Sequence, residues 1–276
     1  FLKLNHYDRL QANTYVLNKN MSLSEIFSII ENPDFKYILS SQLTIKEGTT
    51  IPEVAESFAE ILNISADEVI KQWDDQEYLQ SLIEEYWFLD ESILDKDILY
   101  PLEGYLYPET YYITEQEPDL KSMTKLALDM MDERLSEYKD DIEKLGWTPH
   151  QFLTFASIVE RESLFDEDRP KIAGVFINRL NKNMLLQSDI TVNYAWQRTG
   201  VDVSVSHTQI DSRYNTYKYT GLPVGPISTI SKVTIEACIQ YEHHDYYYFF
   251  AKEDGTVIYS RTYKEHQKIV EENKWY

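Results

Sequence analysis

The stretch "TPHQFLTFASIVERES", which begins at Thr148, constrains the fold more than any other part of the chain. Thr148-Pro149 reads as a helix start: a capping hydroxyl, then a proline whose missing N–H is no loss in the first turn. Phe152, Phe155, Ala156 and Val159 recur at helical spacing and form one apolar stripe, so a core must lie against it. The stripe then runs into Glu160, Arg161 and Glu162. Glu162 falls three residues after Val159, four after Ile158 and seven after Phe155, which continues the stripe's edge. A carboxyl held against apolar side chains loses hydration in its charged form, and its pKa rises. Such a group suits general acid catalysis; the alternative is a carboxylate that turns outward and solvates the helix end. Glu160 borders Ala156 and Leu153, and helical geometry alone does not choose between the two.

The rest of the chain divides by texture near residue 98. Before it, capping-box patterns start short acidic helices at Ser22 with Glu25, at Thr50 with Glu53 and at Ser65 with Glu68. Leu43 and Ile45 alternate as in a strand, and Gly48 supplies the turn that follows. After it, "YPLEGYLYPETYYI" lacks a helical period and reads as loop and strand, its path set by Pro101, Gly104 and Pro108. One long amphipathic helix is expected from about 120 to 145, ended by Gly146. "YYYFFAKEDGTVIYS" reads as a terminal hairpin with Asp254-Gly255 near its tip. No internal repeat or low-complexity tract is present.

Composition excludes several functions. The chain of 276 residues carries a formal net charge of −21, which opposes a phosphate backbone, so nucleic acid is not an expected ligand. Its 22 Tyr and 5 Trp then serve as core or as platforms for sugar faces. One cysteine, Cys238, rules out an internal disulfide framework. His243-His244 is an adjacent pair without HExxH or Cys–His spacing, so no metal is expected, and no cofactor motif is present. No apolar run is long enough to span a bilayer. The chain begins at Phe1 and reads as part of something longer, so any membrane anchor is expected upstream.

Five segments carry a resemblance. "LEGYLYPETY", "ASIVERES", "AGVFINRLNKNMLLQSDITVNYA", "YNTYKYTGLPVGPIS" and "YYFFAKEDGTVIYSRTYKEH" resemble, in order and spacing, the YceG-like (MltG) family of endolytic murein transglycosylases. The chain departs from that pattern at Ile190 and Val224, where the family has proline; both are expected in loops. "LTIKEGTTIPEVAESFAEILNISADEVIKQW", about residues 43 to 73, resembles a LysM module, a β-α-α-β fold that binds N-acetylglucosamine-containing glycans. The resemblances imply an α+β fold: a small LysM-like domain over residues 1–98, then a larger mixed α/β catalytic domain over 99–276. Whether the LysM-like unit touches glycan or only packs stays open.

The family resemblance also resolves the two carboxylates, because its catalytic Glu directly precedes a Ser or Thr. That Glu is Glu162, with Ser163 beside it, and Glu160 becomes a supporting residue. The implied reaction cleaves the β-1,4 bond from N-acetylmuramic acid to N-acetylglucosamine without water and leaves a 1,6-anhydro end. Gln187, Ser188, Asp189, Thr191 and Asn193 form a polar cluster suited to acetamido and hydroxyl groups. Tyr214, Asn215 and Tyr217 are candidates to stack on a sugar and bind an N-acetyl group. Glu103 is the first candidate for a second acid, and Glu109 the next. Peptidoglycan strands are the implied partner, with cell-wall synthases beside them, and the implied place is the outer face of the cell membrane on an N-terminal anchor. A non-catalytic peptidoglycan-binding protein is the alternative. A pyridoxal-phosphate lyase would need a Schiff-base lysine in an apolar setting, and none is visible.

Overall fold

The three capping boxes form as their spacing requires. In the computed structural model, which describes residues 9–114, 117–198 and 204–273, each capping backbone N–H donates to the Glu three residues on. The distances are 2.7 Å at Ser22, 2.8 Å at Thr50 and 2.9 Å at Ser65. They start α1 (Leu23–Glu31), α2 (Ile51–Leu62) and α3 (Ala66–Trp73). Asn63, at φ 54°, turns the chain between α2 and α3. Phe58 and Trp73 then meet edge to face, ring centroids 5.0 Å apart, and the Trp73 indole N–H donates to Thr124.

Strand β1 (Ser41–Thr44) precedes α2, which completes the expected β-α-α order. Its antiparallel partner comes from much further along. Helix α4 (Gln76–Glu85) and a run of turns intervene before β2 (Thr110–Ile113), which pairs with β1 from Ser41↔Ile113 to Thr44↔Thr110. The boundary at residue 98 is therefore crossed by a sheet, and also by one continuous apolar core that includes Leu43, Phe58, Tyr105, Leu128 and Phe155.

The long helix expected from 120 to 145 is two helices, α5 (Leu120–Ser136) and α6 (Lys139–Lys144). Tyr138 leaves the helical well (φ −115°, ψ 7°), and its hydroxyl donates to Glu236 at 2.9 Å. Helical period continues in phase across so short a break, which is why the sequence pattern conceals it.

Helix α7 (Pro149–Glu162) is the axis of the second half. Its stripe understates its burial, since every residue from Phe152 to Glu160 is buried, together with His150. Around it pack α8 (Arg169–Asn181), α9 (Asp189–Ala195) and α10 (Lys232–Ile239). The segment 224–231 also lies against it: His150 Nε2 meets the Val224 carbonyl at 2.8 Å, and Ile227 N–H donates to Ser157. A carbonyl only accepts, so Nε2 carries the proton and Nδ1 accepts from the Tyr105 hydroxyl at 2.6 Å. Gly104, at φ 79°, lets the "LEGY" turn approach Pro226; a Cβ there would sit 2.4 Å from the proline Cβ. The hairpin β3 (Tyr248–Ala251) and β4 (Val257–Ser260) closes the fold with α11 (Tyr263–Asn273). The architecture is α+β, with two-stranded sheets and helices around one core.

Candidate active site

Glu160 and Glu162 are two residues apart on α7, about 200° around the helix axis, and they meet opposite surroundings. Glu160 is buried and fully engaged. Its Oε1 accepts from Arg169 Nη2 at 3.0 Å, and its Oε2 accepts from Ser231 N–H at 2.9 Å and Ser231 Oγ at 2.7 Å. Three donors on a buried carboxylate make it a structural tie, joining α7 to the starts of α8 and α10.

Glu162 is the last residue of α7, half-buried, and accepts one side-chain hydrogen bond, from Ser188 Oγ at 2.5 Å. Ser188 occupies the cap position of α9, yet its hydroxyl does not cap that helix. It is turned to Glu162 instead. Behind it, Ser188 N–H donates to Thr216 Oγ1 at 3.0 Å, and Thr191 Oγ1 donates to the Ser188 carbonyl at 2.8 Å. Gln187, exposed at φ 51°, anchors its N–H on the Thr216 carbonyl. Asp189 accepts from the Tyr217 hydroxyl at 2.5 Å.

Burial pushes the Glu162 carboxyl up to about 7, helped by the negative charge of Asp189. The Ser188 hydrogen bond and the positive charge of Arg179 oppose that rise. Burial also raises Asp189, with the Tyr217 hydrogen bond opposing it. A carboxyl poised near neutrality both gives and takes a proton at ordinary pH, as acid–base catalysis requires.

Several expected site residues, Tyr214, Asn215, Thr191 and Glu103 among them, are buried in the interior. Tyr214 is fully buried with its ring 4.8 Å from that of Tyr194, so it offers no face to a sugar. Asn215 is fully buried too: its amide donates to the carbonyls of Thr208 and Ile210, and its oxygen accepts from Tyr217 N–H. Both brace the loop that presents Tyr217. Glu103 is buried beneath α2, where its carboxyl accepts from Ile51 N–H and from the Tyr194 hydroxyl at 3.0 Å. Burial drives it up to about 8, and it shares no hydrogen bond with the Glu162 cluster. Glu109 is exposed and accepts from Thr110 N–H. Ser163 is buried beside Glu162, and its hydroxyl has no hydrogen-bond partner among the described residues. Asn193 faces a neighbouring cavity with Arg161 and Tyr194. The polar cluster expected as a loop is largely helical, since Asp189, Ile190, Thr191 and Asn193 sit on α9.

Arg179 escapes a reading of the sequence by motif chemistry. It is buried, and it donates to the carbonyls of Tyr247, Leu185 and Leu186 at 2.6, 3.2 and 2.7 Å. One guanidinium thus holds the segment that delivers Gln187 and Ser188, and it stacks on the Tyr248 ring. Its position in the middle of "AGVFINRLNKNM" is the available signal, an arginine inside an otherwise apolar helix face. Among the described residues, no group of three His, Cys, Asp or Glu side chains is placed to hold a metal. No described helix is long and apolar enough to cross a membrane.

The chain as a whole is similar to known proteins. Residues 1–272 match the YceG-like family. The chain is 36% identical over 272 residues to the endolytic murein transglycosylase of Bacillus subtilis (strain 168), covering 98% of this chain and 75% of that one. It is 34% identical over 289 residues to the endolytic murein transglycosylase of Streptococcus pneumoniae serotype 2 (strain D39), covering 99% of this chain and about half, 52%, of the relative. The crystal structure of the yceG-like protein lmo1499 from Listeria monocytogenes superposes with a TM-score of 0.80 at 35% identity, over 97% of this chain and 88% of that one. With the fold, the order of its motifs and these likenesses in agreement, the chain belongs to the YceG-like family.

Proposed function

We propose that this protein is an endolytic murein transglycosylase whose acid–base residue is Glu162. The observation that carries the assignment of Glu162 is its environment: a half-buried carboxyl raised to about 7 and held by Ser188 at the end of a buried helix. The assignment of activity is supported by relatives of that name at 34–36% identity over nearly the whole chain.

The chemistry follows from one carboxyl. Protonated Glu162 gives its proton to the glycosidic oxygen as the bond from that oxygen to C1 of the muramoyl sugar breaks. The N-acetylglucosamine side leaves with a free 4-hydroxyl. The Glu162 carboxylate then takes the proton of the muramoyl 6-hydroxyl, whose oxygen closes on C1 to form the 1,6-anhydro ring. Atoms balance without water, and Glu162 ends protonated as it began. Hydrolytic glycosidases use a second carboxylate for water or for a covalent intermediate. Here the nucleophile belongs to the reacting sugar, so its effective concentration is already high. Asp189, engaged by Tyr217, and Gln187, exposed beside Ser188, are the groups that meet the sugars flanking the bond.

The finer parts of the reading belong to the same proposal. The substrate is the uncrosslinked glycan strand, the site of action is the outer face of the cell membrane, and cell-wall synthases are neighbours there. Digestion of purified uncrosslinked strands, read by mass spectrometry, tests the chemistry. Internal cuts with 1,6-anhydro-muramoyl ends are expected. Reducing ends would mean hydrolysis, and binding without any cut would favour a peptidoglycan-binding protein.

A further inference from the structure

A cavity of about 230 Å³ lies between the start of α2 and α9, and Arg161, the chain neighbour of Glu162, is in its wall. Thr50, Pro52, Glu53, Arg161, Asn193 and Arg198 are among its walls, and Ile190 and Tyr194 supply apolar surface. Two arginines in one cavity stand out in a chain of net charge −21. Arg134, Arg169, Arg213 and Arg261 each lie within ion-pair distance of a carboxylate. Arg161 is exposed, and its side chain has no ion pair or hydrogen bond among the described residues, though its charge is felt by the buried Glu103 carboxyl. Arg198 faces the His207 ring rather than a carboxylate. The one acid in the walls, Glu53, already accepts from the Thr50 N–H and hydroxyl at 2.8 and 2.9 Å.

We propose that this cavity binds the carboxylate-bearing peptide branch that the muramoyl sugar of murein carries. Three features select that ligand. Guanidinium groups recognise carboxylates through paired N–H donors. The apolar walls suit the aliphatic side chains of a short peptide. The position is right as well: Arg161 is the chain neighbour of Glu162, so their Cα atoms are about 3.8 Å apart, and α9 turns Ser188 to one side and Asn193 to the other. The proposal has the substituent of a muramoyl sugar seated at Glu162 reach past Arg161 into this cavity. The inference rests on the transglycosylase reading for its ligand and gives α9 a second task, the choice of strands that bear peptides.

The test reads binding, so that it is separate from cleavage. Equilibrium affinities of Glu162→Gln protein are measured for glycan strands that carry peptides and for strands stripped of them by an amidase. The same pair of measurements is made after adding Arg161→Gln with Arg198→Gln, Arg161→Lys with Arg198→Lys, or Arg261→Gln. Peptide-bearing strands are expected to bind about tenfold more tightly, the increment of one charge-assisted pair. The double Gln change abolishes that preference, the double Lys change keeps only the part owed to charge without paired donors, and Arg261→Gln, outside the cavity lining, keeps it in full. Equal affinity for the two strand types overturns the proposal. So does a preference that survives the double Gln change, or one that Arg261→Gln removes equally, which would mean long-range charge. Absence of cleavage by the unaltered protein would instead sink the transglycosylase reading and leaves these affinities readable.

Discussion

Ser188 Oγ lies 2.5 Å from Glu162 Oε1, joining the cap position of α9 to the last residue of α7. That contact holds the carboxyl in place and lowers its proton affinity. Burial raises Glu162 and the donated hydrogen bond partly restrains it. The two effects can be separated by substitution.

Removal of the donor in Ser188→Ala lets the Glu162 pKa climb above about 7, so its proton is held to higher pH. The alkaline limb of the pH–rate profile, where the acid is lost, then moves up. Asp189→Asn removes a negative charge that favours the protonated form, so that limb moves down. Opposite displacements in kcat/KM against pH are the expected result; displacement in the same direction contradicts the electrostatic account.

Glu160 carries a different expectation. Replacement by Ala leaves Arg169 without its buried partner and the Ser231 N–H without its acceptor. Loss of one member of a buried ion pair costs about 3–5 kcal/mol. Urea unfolding of Glu160→Ala should show that loss through a lower midpoint, whereas Glu162→Gln unfolds close to the unaltered protein.

Glu103 makes stability depend on pH. Its ordinary value is 4.5 and burial lifts it to about 8 in the folded chain. Below 4.5 both states hold the proton. Between 4.5 and 8 the folded chain keeps a proton that the unfolded chain releases, so stability declines as pH rises through that window. Glu103→Gln keeps an acceptor for Ile51 N–H and Tyr194 and removes the titration. Its melting temperature, relative to the unaltered protein, should rise by at least about 3 °C from pH 5 to pH 8, the shift that 1 kcal/mol gives in a domain this large. A constant difference across that range would refute the assignment.

Gly104→Ala tests how the motifs pack. The added Cβ would sit 2.4 Å from Pro226 at a φ of 79°. Overpacking and left-handed strain together cost about 2–4 kcal/mol. Gly146→Ala has positive φ but open space, and should cost less by the same unfolding measurement.

Much of this was legible in the residues, for identifiable reasons. Capping boxes announce helix starts because both partners are local, and Ser22, Thr50 and Ser65 all behave so. The family resemblance singled out Glu162 over Glu160; periodicity did not, and the structure separates them by what each touches. Tyr214 and Asn215 are buried, and the sequence does not show it, because a Tyr or Asn in a motif reads the same whether it braces a loop from within or faces a ligand. The break at Tyr138 was hidden by a hydrophobic period that stays in phase. The β1–β2 pairing was out of reach, since the register of strands some seventy residues apart leaves no local mark. Arg179 illustrates the same limit, because its importance comes from three carbonyls that the fold brings to it.

The central claim is that Glu162 is the acid–base residue of a strand-cleaving enzyme. The most direct measurement counts 1,6-anhydro ends released from uncrosslinked glycan strands near pH 6 by the unaltered protein and by Glu162→Gln, with strand binding measured alongside. The account predicts a loss of at least about a hundredfold in the variant, the scale of general acid–base catalysis, with binding retained. Cleavage by Glu162→Gln within a few fold of the unaltered protein would contradict it.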